Sequence, residues 1–85
     1  MFTEDYYEKV DFSNAQLLEE ELVGLTFREC SFQNADFNGV RLVNCLFEKC
    51  RLASAQLNGI EAINCAFLNC EFQFAGLFAA EFTDK

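Results

Sequence analysis

Residues 12 to 51 read FSNAQLLEEELVGLTFRECS and then FQNADFNGVRLVNCLFEKCR, two blocks that align without a gap. Every fifth residue from Phe12 is leucine or phenylalanine in both blocks, and the residue two places before it is small or aliphatic except at Glu20. An α-helix repeats its apolar positions about every 3.6 residues and a strand about every 2. A period of five therefore indicates neither an ordinary helix nor an ordinary strand.

The same period runs through the whole chain. From Phe2 to Phe82 every position in this series is leucine or phenylalanine, apart from Tyr7 and Ala62. A second period of twenty overlies the first, because residues twenty apart share a type. The columns are Ala15, Ala35, Ala55 and Ala75; Cys30, Cys50 and Cys70; Cys45 and Cys65; and Phe27, Phe47 and Phe67.

The motif small-x-(Leu or Phe)-x-x, as in Ala15-Gln-Leu17 and Cys70-Glu-Phe72, resembles the pentapeptide-repeat family over essentially the whole chain. The resemblance implies one domain, residues 1–85, folded as an all-β, right-handed quadrilateral β-helix (a pentapeptide-repeat solenoid) of about four coils. It also implies that the central and the small residues face inward. The predicted core is Phe12, Leu17, Leu22, Phe27, Phe32, Phe37, Leu42, Phe47, Leu52, Leu57, Phe67, Phe72 and Leu77, with Ala15, Ala35, Ala55, Ala75, Cys30, Cys45, Cys50, Cys65 and Cys70.

Charged residues agree with stacking at a spacing of twenty. Strands pair about 4.8 Å apart, so residues twenty apart become neighbours on adjacent coils. Gly39 and Gly59 share one corner, where a turn can require positive φ. The predicted charge pairs are Arg41 with Glu21 and Glu61, Arg28 with Glu48, Arg51 with Glu71, and Lys49 with Glu29.

Composition excludes several functions. The chain carries 14 acidic and 6 basic residues, a formal charge of −8, which disfavours direct binding to nucleic acid and to anionic membranes. No apolar run approaches the ~20 residues of a membrane span. The first ten residues, MFTEDYYEKV, do not resemble a signal peptide. We therefore expect a cytoplasmic protein with reduced thiols.

Catalytic and metal chemistry find little support. The chain has no His, so a nucleophile lacks its commonest base. Cys45, Cys50, Cys65 and Cys70 follow the periods of five and twenty rather than the short gaps typical of zinc sites. We expect structural, slowly reacting thiols, no metal, no cofactor and no enzymatic activity.

Two surfaces break the polar pattern of the outward positions. Val23, Val43 and Ile63 form an apolar column beside Leu46 and Leu68. The column fits either the β-propensity of branched residues or a lateral protein contact. In the last coil Phe74 and Phe78 occupy places that are polar elsewhere, and only Thr83 to Lys85 follow Phe82. The two rings either fold inward as a cap or join two copies as a homodimer through the C-terminal coil.

The Cys- and Phe-rich variant, as in FRECSFQNADF, is similar to the quinolone-resistance (Qnr-type) and microcin-immunity members of the family. That resemblance implies a mimic of duplex DNA that binds a type II topoisomerase, DNA gyrase. Our first hypothesis is instead a non-enzymatic interaction or scaffold module with an acidic rod-like surface and an unassigned protein partner. The DNA mimic is the alternative, because no insertion interrupts the pentads here.

Overall fold

The computed structural model describes residues 2–84; Met1 and Lys85, the ends of the predicted domain, lie outside the described residues. None of residues 2–84 lies in a helix, and their regular structure is a set of strands of three residues each. These are β1 Tyr6–Glu8, β2 Glu21–Val23, β3 Thr26–Arg28, β4 Arg41–Val43, β5 Leu46–Glu48, β6 Glu61–Ile63, β7 Ala66–Leu68 and β8 Glu81–Thr83.

The coils stack in parallel with the register that the sequence predicts. One sheet has the order β1-β3-β5-β7 and the other β2-β4-β6-β8. Paired residues are twenty apart, as in Glu21↔Arg41 and Arg41↔Glu61. Single parallel bridges, such as Asp36↔Gln56, connect the coils on the other two sides. The predicted all-β solenoid of about four coils is thus confirmed.

The coil has four sides. We name each side by the leucine or phenylalanine that it contributes to the coil beginning at Phe12. The Phe12 face also holds Phe32, Leu52 and Phe72; the Leu17 face holds Phe37, Leu57 and Leu77; the Leu22 face holds Leu42, Ala62 and Phe82; the Phe27 face holds Phe47 and Phe67. The two sheets form the Phe27 face and the Leu22 face respectively.

A left-handed residue turns the chain at each corner. Every fifth residue from Lys9 to Ala79 has a φ between 54° and 72°. Glycine and asparagine adopt this conformation most readily, and they occupy many of the corners, among them Gly39, Gly59 and Asn34. After the Phe12 face, a backbone turn bond also closes the corner, as in Ala35 N–H to Phe32 C=O at 3.1 Å.

Cysteine thiols make equivalent contacts at the corners that follow the two sheets. The Cys45 thiol donates to the Leu22 carbonyl at 3.4 Å, and the Cys50 thiol donates to the Phe27 carbonyl at 3.3 Å. Each bond reaches a carbonyl of the preceding coil, so the thiol ties two coils together as an alanine could not. This is a physical reason for cysteine, rather than alanine, in these columns.

The core is a stack of aliphatic and aromatic side chains inside the coils. The Phe47 ring stacks on Phe27 at 5.0 Å and on Phe67 at 4.8 Å, between ring centroids. Burying each such side chain contributes roughly 1.5–3 kcal/mol. The fully enclosed residues are Leu17, Leu22, Phe27, Cys30, Phe32, Ala35, Phe37, Leu42, Cys45, Phe47, Cys50, Leu52, Ala55 and Leu57, together with Leu25, Val40, Ile60 and Ala62.

Inward residues of the outer coils are less covered than predicted. Leu77 was expected in the core but is 45% exposed, and the inward Phe82 is 57% exposed. An inward side chain is enclosed only where a coil lies on both sides of it. The same reason leaves Phe12, Ala15, Cys65, Phe67, Cys70, Phe72 and Ala75 partly buried.

The described residues do not form a rod. Their principal extents are 29 × 27 × 24 Å, because four coils stacked about 4.8 Å apart are no taller than one coil is wide. The expected rod-like shape is therefore wrong, and the molecule is a block with four sides and two ends.

Candidate functional site

Large apolar side chains lie in solvent on the last coil. Phe74 is 91% exposed and Phe78 is 83% exposed. Together with the exposed Leu77 and Phe82 they form what we call the aromatic patch. Neither Phe74 nor Phe78 folds over the end of the coil, so the capping alternative is wrong. An aromatic patch without a cover is typical of a surface that binds a partner.

Phe74 points outward because it is a corner residue. Its φ is 61°, and the residues beneath it in the same column are Asn14, Asn34 and Ser54. The left-handed region is unusual for a bulky residue, but here the repeat imposes it at every corner from Lys9 to Ala79. A phenylalanine in a column of asparagine and serine is the sequence signal that marks this corner.

Phe78 ends a ladder of asparagine side chains on the Leu17 face. The Asn38 side-chain oxygen accepts the N–H of Asn58, and the Asn58 side-chain oxygen accepts the N–H of Phe78, both at 2.9 Å. Phe78 offers no acceptor in turn. Beside it Gly76 has no side chain, and a Cβ there would lie 3.1 Å from the Asn58 amide. Position 76 therefore adds no side chain beside Phe78.

The apolar column on β2, β4 and β6 is a second exposed surface. Val23, Val43 and Ile63 lie in register; Val23 is 55% exposed, while Val43 and Ile63 are half-buried. Across the corner Leu46 is half-buried and Leu68 is 50% exposed. We call these five residues the apolar stripe. Its most exposed members, Val23 and Leu68, are less exposed than Phe74 and Phe78.

Ion pairs flank the apolar stripe on both sides. Arg41 pairs with Glu21 and Glu61 on the Leu22 face. Arg28 lies 2.8 Å from Glu8 and 3.7 Å from Glu48 on the Phe27 face. Each such exposed pair contributes only about 0–1 kcal/mol. Glutamates outnumber the arginine in both groups, because Glu81 continues the Arg41 column and Glu29 also lies 3.0 Å from Arg28.

Two of the predicted charge pairs do not form. Arg51 and Glu71 are bridge partners, yet among residues 2–84 no ion pair within 4.0 Å joins them, nor Lys49 to Glu29. Glu29 instead lies 3.0 Å from Arg28. The register of the coils was predicted correctly. The ion pairs were not all predicted, because a long exposed side chain can reach several neighbours and contacts only some of them.

The last thiol of one column differs from those beneath it. Cys30 and Cys50 are buried, whereas Cys70 is partly exposed. A hydrogen bond with Cys70, and then burial, raises the pKa of the Cys50 thiol. The same hydrogen bond with Cys50 outweighs burial and, together with backbone contacts at Cys50 and Lys49, lowers the pKa of Cys70 to about 7. The slow reaction expected of all five thiols stays a prediction, and Cys70 is the thiol at which to test it.

Within residues 2–84 no group of three or more His, Cys, Asp and Glu side chains is placed to hold a metal ion. The chain's described part contains no helix that is long and apolar enough to cross a membrane.

A family of known proteins has the same five-residue repeat as the corners described above. Residues 8–44 match the family model for pentapeptide repeats, in eight copies. Residues 8–44 are therefore similar to pentapeptide-repeat proteins. No curated protein matches the sequence. In the structure, a left-handed corner recurs at every fifth residue as far as Ala79. The structural repeat therefore extends well past residues 8–44, which match the family model.

A solved structure shows the same fold. A trypsin-treated variant of QnrB1, a plasmid-mediated fluoroquinolone resistance protein, aligns with a TM-score of 0.52 at 20% identity over 82% of this chain. A second trypsin-treated QnrB1 variant aligns with a TM-score of 0.44 at 19% identity over 88% of the chain. The chain spans 46% of the length of each QnrB1 chain.

Proposed function

We propose that this protein is a cytoplasmic, non-enzymatic interaction module that binds protein through its aromatic patch. The observation that carries the proposal is Phe74, which is 91% exposed in a column that holds asparagine or serine on the coils beneath it. Exposed apolar patches mark protein contacts, and a partner would cover the ring. Free thiols at all five cysteines suit a reducing compartment.

The partner that fits first is a second copy of the chain. Two-fold pairing of the C-terminal coils buries Leu77 and Phe82 as well as both outward rings, and a two-fold contact closes instead of growing into a fibre. A cross-section about 25 Å wide limits the buried area to roughly 600 Å² per copy, below the ~800 Å² of a standard interface. We therefore expect a homodimer of moderate affinity.

Sedimentation velocity over a concentration series tests the dimer. The wild type should dimerise, and the double variant Phe74→Ser, Phe78→Ser should remain monomeric. Leu18→Ser is the matched control, because Leu18 lies in the column of Phe78 at the opposite end and is 56% exposed. A monomeric wild type removes the homodimer, and a variant that still dimerises moves the contact to the apolar stripe of Val23, Val43, Ile63, Leu46 and Leu68.

A DNA mimic that binds a type II topoisomerase is the second candidate. Its support is the fold shared with QnrB1 and the net charge of −8, which suits a basic DNA-binding groove. Supercoiling by DNA gyrase, with and without a quinolone, tests it at low and moderate salt. Protection or inhibition that weakens with salt supports it. Gyrase that behaves the same with and without the protein refutes it.

A further inference from the structure

Consecutive thiols of one column lie in equivalent places on the third and fourth coils. The Cys50 thiol donates to the Phe27 carbonyl at 3.3 Å and the Cys70 thiol donates to the Phe47 carbonyl at 3.2 Å. The coils meet directly at this point, because the Glu71 N–H donates to the Cys50 carbonyl at 3.0 Å. Coils about 4.8 Å apart have Cα separations within the 4.4–6.8 Å that disulfides span.

The two sulfurs differ in access to solvent. Cys50 is 1% exposed, whereas Cys70 lies partly open on the outermost described coil. Because Cys70 is only partly buried, a small polar oxidant reaches it from solvent more readily than it reaches Cys50.

We propose that Cys70 and Cys50 form a peroxide-reactive dithiol, in which Cys70 is oxidised first and Cys50 resolves it as an inter-coil disulfide. The Cys70 thiolate attacks one oxygen of hydrogen peroxide. The O–O bond breaks, a sulfenic acid forms, and the departing hydroxide leaves as water after it takes a proton. The Cys50 sulfur then attacks the Cys70 sulfur, the S–O bond breaks, and the hydroxyl leaves as water with the Cys50 proton.

The electron count balances without a cofactor. Two electrons pass from the two thiols to peroxide, which is reduced to two waters. The attack on peroxide is assigned to Cys70 because the thiolate is the reactive form of cysteine. A pKa of about 7 leaves much of the Cys70 thiol ionised at neutral pH. The product links the coil that carries Phe74 and Phe78 to the coil beneath it.

The test is oxidation of the folded, fully reduced protein by hydrogen peroxide, followed by alkylation in denaturant and peptide mass spectrometry. We expect loss of two hydrogen atoms and a peptide pair that joins Cys50 to Cys70. Cys70 should oxidise roughly tenfold or more faster than the buried Cys45. In Cys50→Ser the sulfenic acid should persist and be trapped by dimedone, and circular dichroism should show that the variant remains folded.

Cys45→Ser and Cys65→Ser are matched controls, because Cys45 and Cys65 stack in the other thiol column, where the Cys45 N–H lies 3.4 Å from the Cys65 sulfur. Both controls should still form the Cys50–Cys70 bond. Cys50→Ala provides a second resolving-thiol variant if the serine disturbs folding. Oxidation of Cys70 no faster than of Cys45, or a wild-type product in which Cys70 gains oxygen without the crosslink, overturns the proposal.

Discussion

Replacing Phe74 with asparagine should stabilise the isolated chain. A left-handed backbone costs an ordinary residue roughly 1–2 kcal/mol, whereas asparagine adopts it more readily. Removing the ring sacrifices little buried apolar surface, since Phe74 is 91% exposed. About a tenth of the ~1.5–3 kcal/mol of a buried phenylalanine is near 0.2 kcal/mol. The expected net change in the free energy of unfolding is a gain of about 1 kcal/mol.

Thermal unfolding followed by far-UV circular dichroism measures this change. For a domain of this size 1 kcal/mol shifts the Tm by roughly 4–8 °C. The protein concentration must lie below the range in which the wild type associates, because association adds stability of its own. At high concentration the same variant should lose self-association. One substitution should therefore raise stability and remove binding.

Asn34→Phe is the reverse change in the same column. Asn34 has the same φ of 61° as Phe74 and lies two coils below it. Asn34→Phe should lower the free energy of unfolding by about 1 kcal/mol, as much as Phe74→Asn raises it. If Phe74→Asn destabilises the dilute protein, the ring packs within its own chain and the inferred partner surface is wrong.

Three further changes test the core, a corner and a thiol. Phe47→Ala removes a fully buried ring between Phe27 and Phe67; urea unfolding should show a loss of about 3–5 kcal/mol, against almost none for Phe78→Ala. Gly59, at a φ of 72°, should accept asparagine with little change in Tm but lose stability on substitution by valine, which is strongly disfavoured at positive φ. The rate at which iodoacetamide alkylates Cys70 should rise with pH with a midpoint of about 7, because the thiolate is the reactive form. Cys50→Ala should move this midpoint to higher pH, since it removes the hydrogen bond that lowers the pKa of Cys70. A midpoint that this variant leaves unchanged would contradict a hydrogen bond between Cys50 and Cys70.

The sequence predicts the coils and their register because both follow from strict periods. Arg41 between Glu21 and Glu61 is visible in the letters alone, and the bridges place it there. The corners were only partly predictable. Gly39 and Gly59 indicated one of them, but Lys9, Glu29 and Lys49 adopt the same backbone because the stacked coils impose it whatever the side chain.

Burial at the outer coils could not be predicted from the repeat. Leu77 obeys the inward pattern as well as Leu57 does, yet Leu57 is 1% exposed and Leu77 is 45% exposed. The pattern fixes the direction of a side chain, whereas burial depends on the coil above it. The difference between Cys50 and Cys70 has the same origin, because the second thiol lacks a described coil over it.

Phe78 supports the proposed contact through the aromatic patch. Asn38 and Asn58 each accept the N–H of the next coil in their column, so asparagine at position 78 would continue the ladder. Phenylalanine supplies no acceptor, so the ladder ends at Phe78. Phe78→Asn should therefore leave the Tm of the dilute protein within a few degrees of the wild type while weakening association. Association that survives this change, with Phe74 intact, would assign the contact to Phe74 and the end of the coil alone.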